Sequence, residues 1–344
     1  MKKSANNSTC RIVLDAMGGD FAPRNEVLGA IAALSEDSSI EILLVGKKDL
    51  IISTLNEHNL SFPEQNIYDA EDVITMSDSP TAALRTKPNS SLVVSANLVR
   101  SGKGDALVSA GNTGAVMAAS TLLLGRLKGV GRPTIGVPMP SETGTCFLFD
   151  AGASVDCKPS HLLEYAIMSK IYVQEIYNVK NPSIGLLSVG EEKSKGNDLT
   201  LKAYELLDNV RDEINFKGNV EGKDILGGKT NIVICDGFTG NVILKFAESV
   251  VGILKQRIKS FALKSFFNKI KVLFMRGTLK KVLSDFSSEK QGGVPLLGVK
   301  AVSIIGHGSG SPTAIKNMIL KAKEMHEKQL LHKIEKALSD YANK

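Results

Sequence analysis

Five short stretches carry residue types that could hold an anion or move a proton. Asp15-Ala16-Met17-Gly18-Gly19-Asp20 sets two carboxylates on either side of a glycine pair. Ser109-Ala110-Gly111-Asn112-Thr113-Gly114 is made of small residues, so backbone N–H groups could approach an anion at the start of a helix. Gly190-Glu191-Glu192-Lys193-Ser194-Lys195-Gly196-Asn197 puts an ammonium just ahead of another helix start, where it suits an anionic substrate or a developing oxyanion. Asp236-Gly237-Phe238-Thr239-Gly240-Asn241 and Gly306-His307-Gly308-Ser309-Gly310-Ser311 are further glycine turns that feed helices. His307 is a candidate acid or base. Taken singly, each stretch fits a tight capped turn as well as an anion seat. Five at once favour phosphate handling.

Other chemistries lack their signatures. There is no GKS/T phosphate loop, no GxGxxG, no HExxH and no EF-hand spacing, so neither a metal nor a cofactor is expected. No GxSxG elbow appears. The four cysteines (Cys10, Cys146, Cys157, Cys235) form no CxxC pair, which reads as reduced thiols in an intracellular protein.

The turns need a scaffold, and the apolar pattern supplies one. Short apolar runs at 11–17, 40–45, 105–109, 134–137, 146–149, 183–188, 231–235 and 301–305 read as strands. Helical patterns follow at 90–100, 113–127, 160–177, 198–210, 241–259 and 312–338. This alternation predicts an α/β fold in three αβα layers with a largely parallel sheet. In such sheets ligands bind beyond the carboxyl ends of the strands, where these five turns fall. The uncharged run 106–125 is as long as a membrane span, but its Ser, Asn, Thr and Gly favour a buried strand–turn–helix. No composition break divides the chain. The expectation is a polar tail over 1–10, without the apolar core of a signal peptide, and one catalytic domain over 11–344.

Charge is concentrated in one place. Between Glu248 and Asp285 there are nine basic residues and no acidic one, although the whole chain is only +6. Lys255, Arg257, Lys259, Lys264 and Lys269 alternate there with apolar residues such as Phe266 and Phe267, predicting a basic amphipathic helical appendage over about 249–290. It suits an anionic membrane surface, an acidic carrier protein or a subunit interface. A nucleic-acid groove would spread its charge more evenly, so no nucleic acid is expected.

Over nearly its whole length the chain resembles the phosphate acyltransferases of bacterial phospholipid synthesis, the acyl-acyl carrier protein–phosphate acyltransferases. The resemblance rests on LDAMGGD (14–20), SAGNTGA (109–115), GRPTIGVPMP (131–140), LFDAGASVDCKPSHLLEYA (148–166), GLLSVGEEKSKGND (185–198), FKGNVEG (216–222), CDGFTGNVILK (235–245) and GHGSG (306–310). It departs at Phe21, Ser154, Ser188 and Gly310. The resemblance implies a fold like that of the isocitrate/isopropylmalate dehydrogenases and phosphotransacetylases. It also implies a homodimer and transfer of a fatty acyl group from acyl carrier protein to inorganic phosphate. The acyl phosphate would feed a membrane glycerol-3-phosphate acyltransferase, which places the chain in the cytoplasm, peripheral to the membrane. Lys195 and Asn241 match the family's catalytic lysine and asparagine. Asp236 and His307 are weaker catalytic candidates. Asp15, Gly18, Gly19, Asp20, Gly111, Asn112, Thr113, Gly114, Gly237, Thr239, Gly240, Gly308 and Ser309 are expected to bind substrate.

Such a reaction needs little acid–base help, because a thiol of pKa about 8.5 leaves readily. It needs proximity and charge stabilisation. Direct attack is therefore expected, with the glycine turns and Lys195 holding phosphate and Asn241 donating to the carbonyl oxygen. Three other readings compete. A decarboxylating dehydrogenase would need a metal-binding Asp cluster and a dinucleotide site. A phosphotransacetylase would take a small acyl group. A carrier-binding scaffold would leave the glycine turns unexplained.

Overall fold

The computed structural model describes residues 9–284 and 292–342. From the amino end, the chain forms β1 (Cys10–Asp15), α1 (Arg24–Glu36), β2 (Ile40–Gly46), α2 (Lys48–Glu57), β3 (Ile67–Asp69), α3 (Pro80–Thr86), α4 (Ser91–Arg100), β4 (Ala106–Ser109) and α5 (Thr113–Ala119). Next come β5 (Thr134–Ser141), β6 (Gly144–Phe149), α6 (Pro159–Tyr177), β7 (Ile184–Leu187), α7 (Asp198–Asn209), α8 (Arg211–Ile214), β8 (Phe216–Val220), α9 (Gly222–Gly227) and β9 (Ile232–Ile234). The remainder is α10 (Gly237–Leu263), α11 (Phe266–Ser284), β10 (Val294–Leu297), β11 (Val302–Ile305), α12 (Pro312–Glu327) and α13 (Leu330–Ala342).

Two compact units result. One comprises residues 9–135, 167–180 and 292–342, the other 136–166 and 181–284. Divisions fall inside β5, inside α6 and in the short connection between α6 and β7, and composition shows no break at any of them.

In the first unit, β3, β2, β1, β4 and β11 lie side by side, all parallel. Leu14 faces Leu44 on one side and Val108 on the other, and all three are buried. Strands covered on both faces read as unbroken apolar runs, which made β1, β2, β4 and β11 visible in the sequence, while the three-residue β3 was not. β10 is antiparallel to β11. It follows two left-handed glycines, Gly292 and Gly293, and carries Pro295 within its four residues, a residue that argues against a strand when read from sequence. In the second unit, β6, β9, β7 and β8 are parallel neighbours, with β5 antiparallel to β6. The α/β fold with largely parallel strands is thus as expected.

The uncharged run 106–125 is a buried strand, a turn and a helix: β4, then α5 continuing as a π-helical turn over Ser120–Leu124. Three expectations need correction. The predicted 312–338 helix is two helices, because Gln329 takes left-handed backbone (φ 51°). Of the expected polar tail, residues 1–8 lie outside the described residues, and Cys10 already pairs with Ile40 in β1. The appendage does not begin near 249. α10 runs unbroken from Gly237 and packs on α11, while residues 285–290 lie outside the described residues.

Candidate active site

The carboxyl edge of each unit gathers predicted turns. In the first unit β1, β4 and β11 end there, and their turns interlock. A Cβ on Gly18 would stand 2.7 Å from the amide nitrogen of Gly111, so only glycine allows this approach. Asp20 donates its amide to the Gly308 carbonyl (2.8 Å), and Gly306 donates to the Ser109 carbonyl (2.8 Å).

Several donors expected to face an anion are used within these turns. The Met17 amide donates to Asp15, and the Gly19 amide to Glu26. Gly111 donates to the Ser109 hydroxyl. The Asn112 side chain caps α5 by accepting from Ala115, while its amide nitrogen donates to the carbonyls of Thr75, Met76 and Asp78. Its task is to hold the 75–78 loop. Gly114 packs on Pro80. His307 is exposed, and its Nδ1 lies 2.8 Å from the Ser309 hydroxyl and accepts from the Ser309 amide. The amides of Thr113 and Gly114, in the first turn of α5, keep no partner among the described residues. They are open donors at this edge.

Two carboxyls lie under the glycine turn. Asp15 is buried and accepts from the Ser109 hydroxyl (2.7 Å), and burial raises its pKa. Glu26 on α1 was not visible in the sequence as a site residue. It is 1% exposed, its Oε2 has no partner, and a Cβ on Gly19 would stand 2.2 Å from its Oε1. Burial pushes its pKa up to about 7, with Asp15 and Asp20 adding repulsion.

The second unit presents the opposite arrangement. β6, β9 and β7 are parallel neighbours, so the turns after Phe149, Ile234 and Leu187 open on one edge. Asp150 is fully buried and accepts from the amides of Gly152, Ala153 and Ser154. The start of α10 sits directly on it. A Cβ on Gly240 would fall 1.9 Å from the Asp150 carbonyl oxygen, and one on Gly237 would fall 2.6 Å from its Oδ2. Asp236 caps α10, accepting from both the amide (2.9 Å) and the hydroxyl (2.7 Å) of Thr239. Asp236 and Thr239 are therefore tied to each other. Asn241, one turn on, rests against Gly152, is exposed, and its side chain makes no hydrogen bond among the described residues.

The turn after β7 separates its two lysines. Lys193 pairs with Asp208 (3.2 Å) and lies over the Tyr204 ring. Lys195 is exposed, and its ammonium has no partner among the described residues. Its backbone, by contrast, is held: the Ser188 hydroxyl and the Asn219 amide both donate to its carbonyl.

No activated thiol appears among the described residues. Cys10, Cys146 and Cys235 are buried; burial pushes the first two up to about 12 and the third also upward. Cys157 is half-buried and also raised by burial. The thiolate is the reactive form, so none is poised as a nucleophile.

All seven predicted docking residues, Lys255, Arg257, Lys259, Lys264, Phe266, Phe267 and Lys269, are exposed on the α10–α11 hairpin. Among the described residues α10 is the one helix long and apolar enough to cross a membrane by those measures alone. Its first turn, however, is built into the second unit at Asp150.

Comparison with known proteins agrees with this architecture. The family described as fatty acid synthesis protein matches residues 10–333. A phosphate acyltransferase of Halothermothrix orenii is 45% identical over 96% of this chain and 98% of its own. One of Clostridium novyi is 40% identical over 94% and 97%. A phosphotransacetylase from Streptococcus pyogenes covers 94% of both chains with a TM-score of 0.63 at 16% identity, a likeness of fold. The EutD phosphotransacetylase from Staphylococcus aureus has a TM-score of 0.56 at 14% identity and the same coverage. With the family matched over nearly its full length, the chain belongs to the phosphate acyltransferases of fatty acid synthesis.

Proposed function

We propose that the chain transfers a fatty acyl group from the thioester of acyl carrier protein to inorganic phosphate, giving acyl phosphate and the free carrier thiol. A phosphate oxygen attacks the thioester carbon, the C–S bond breaks, and the departing sulfur takes up the proton that phosphate gives up. The Lys195 ammonium binds phosphate, and Asn241 donates to the carbonyl oxygen as it gains charge.

One observation supports this most. The side chains left exposed and unpartnered at the second unit's edge include the Lys195 ammonium and the Asn241 amide, while every cysteine is buried or has its thiol pKa raised. That suits holding charge rather than forming a covalent adduct. The test is thiol release from long-chain acyl carrier protein, with acetyl-coenzyme A as the comparison donor. Release that requires phosphate and favours the long-chain carrier is expected. Equal use of acetyl-coenzyme A would favour a phosphotransacetylase.

The tip of the helical hairpin suits an anionic membrane. Leu263, Phe266 and Phe267 are each more than 70% exposed, with Lys259, Lys264 and Lys269 around them. Each such cation near an anionic surface contributes about 1 kcal/mol. The same charges suit docking of acidic acyl carrier protein. The stripe Phe238, Val242, Phe246 and Val250, one helical turn apart, is assigned to a second copy of the chain. Membrane contact at the tip would deliver acyl phosphate to a membrane glycerol-3-phosphate acyltransferase. Flotation with phosphatidylglycerol vesicles tests the membrane part. The wild type should float, and Phe266→Ser/Phe267→Ser should not. A wild type that stays with the soluble fraction overturns it.

A further inference from the structure

We infer that Asn219 is a positioning residue that holds the turn bearing Lys195, and that the bulge in β8 exists to deliver it there. The inference rests on the catalytic role proposed for Lys195. Ile184 of β7 pairs with Phe216 of β8, but Leu186 pairs with Asn219, so β8 carries one extra residue between these positions. Gly218 absorbs the kink with a left-handed backbone (φ 98°). A bulge reverses which side the following residue faces, and bulges re-aim side chains beside functional turns. Here it takes a residue of a strand at the end of the second unit's strand order and directs its amide at the turn after β7.

The contacts fit that task. The Asn219 Nδ2 donates to the Glu192 carbonyl (2.9 Å) and more weakly to the Lys195 carbonyl (3.4 Å). The Ser188 hydroxyl donates to the same Lys195 carbonyl (2.9 Å). Asn219 is 5% exposed, and its Oδ1 is buried without a partner. A leucine or valine would fill this space without leaving a bare oxygen, so what the asparagine supplies is its two N–H donors. Around this clamp the turn is fastened by Glu191 to Lys229 (2.6 Å) and by Lys193 to Asp208. The Lys195 ammonium is the cation of this turn left without a partner among the described residues.

A double-mutant cycle tests this, with phosphate-dependent thiol release and thermal unfolding measured on each variant. Asn219→Ala should lower kcat at least ten-fold in the wild-type background. In a Lys195→Ala background it should lower the residual rate less than two-fold, because a residue acting through Lys195 has nothing left to position. Ser188→Ala removes one clamping bond from a residue that is not buried, so it reads the same clamp should Asn219→Ala fail to fold; a several-fold fall in kcat is expected. Equal losses in both backgrounds would show a general structural role and overturn the inference. So would wild-type kcat in both Asn219→Ala and Ser188→Ala while Lys195→Ala is inactive. Full activity in Lys195→Ala would instead remove the proposed role of Lys195, and this inference with it.

Discussion

The two carboxyl edges are built from similar sequence and do different things with it. In the first unit the glycine turns are bound to one another, and the amides of Met17, Gly19, Asp20 and Gly111 are used internally. In the second, the conspicuous residues Asp236, Thr239 and Lys193 are also tied down, but Lys195 and Asn241 are left exposed and unpartnered. A motif residue that already has its partners builds the turn. One that has none is available to substrate.

Exchanging residues between these two classes should produce opposite phenotypes. The largest effect is on rate. Lys195→Ala and Asn241→Ala should each cut turnover by about 10²–10³, the loss typical of one oxyanion donor, with little change in thermal unfolding. Steady-state thiol release alongside calorimetry checks both.

The next effect is on stability and pH, and it belongs to the first unit. The pKa of Glu26 is about 7 in the fold, above the ~4.3 of an unfolded chain. The native state therefore keeps a proton that the unfolded state has released between those values. Stability should fall as pH rises from about 4.5 to 7 and level off above, by up to about 4 kcal/mol. Buried Asp15 is shifted in the same direction. Glu26→Gln should flatten most of this slope in denaturant titrations across the window. Asp37 and Asp78, lowered to about 2 by hydrogen bonds from Lys323 and Lys87 first of all, tilt stability the other way, and only below about pH 4.

Smaller still is steric conflict. In Gly240→Ala the new methyl meets the Asp150 carbonyl, which should cost about 1–3 kcal/mol and shift Asn241 with it, lowering both unfolding midpoint and turnover. Smallest are the caps. Asp236→Ala and Asn112→Ala should each lose about 1 kcal/mol of stability, read from chemical denaturation. If Asp236→Ala instead abolished turnover in a fully folded protein, the division between building and acting residues would fail at that position.

How far the sequence could be read follows the same division. Buried parallel strands such as β1 and β4 are continuous apolar runs, and their glycine turns mark the carboxyl edge, so the fold class and the edge where those turns gather were legible. Lys195 and Asn241 came with the family resemblance, since composition alone does not separate Lys195 from Lys193. Three residues were not legible. Asp150 acts through amides that fold back on it, Glu26 through burial beneath Gly19, and Asn219 through a bulge between paired strands. Each role depends on partners or packing that the local pattern does not encode. The single helix expected over 312–338 failed for a local reason, the left-handed residue Gln329.

Direct attack by phosphate, with the protein supplying position and charge, is most directly tested by intact-protein mass spectrometry combined with thiol detection. The wild-type chain is mixed with long-chain acyl carrier protein, with and without phosphate. The account predicts thiol release only when phosphate is present and an unmodified protein mass throughout. A stoichiometric burst of thiol without phosphate, matched by an acyl adduct on the protein, would contradict it.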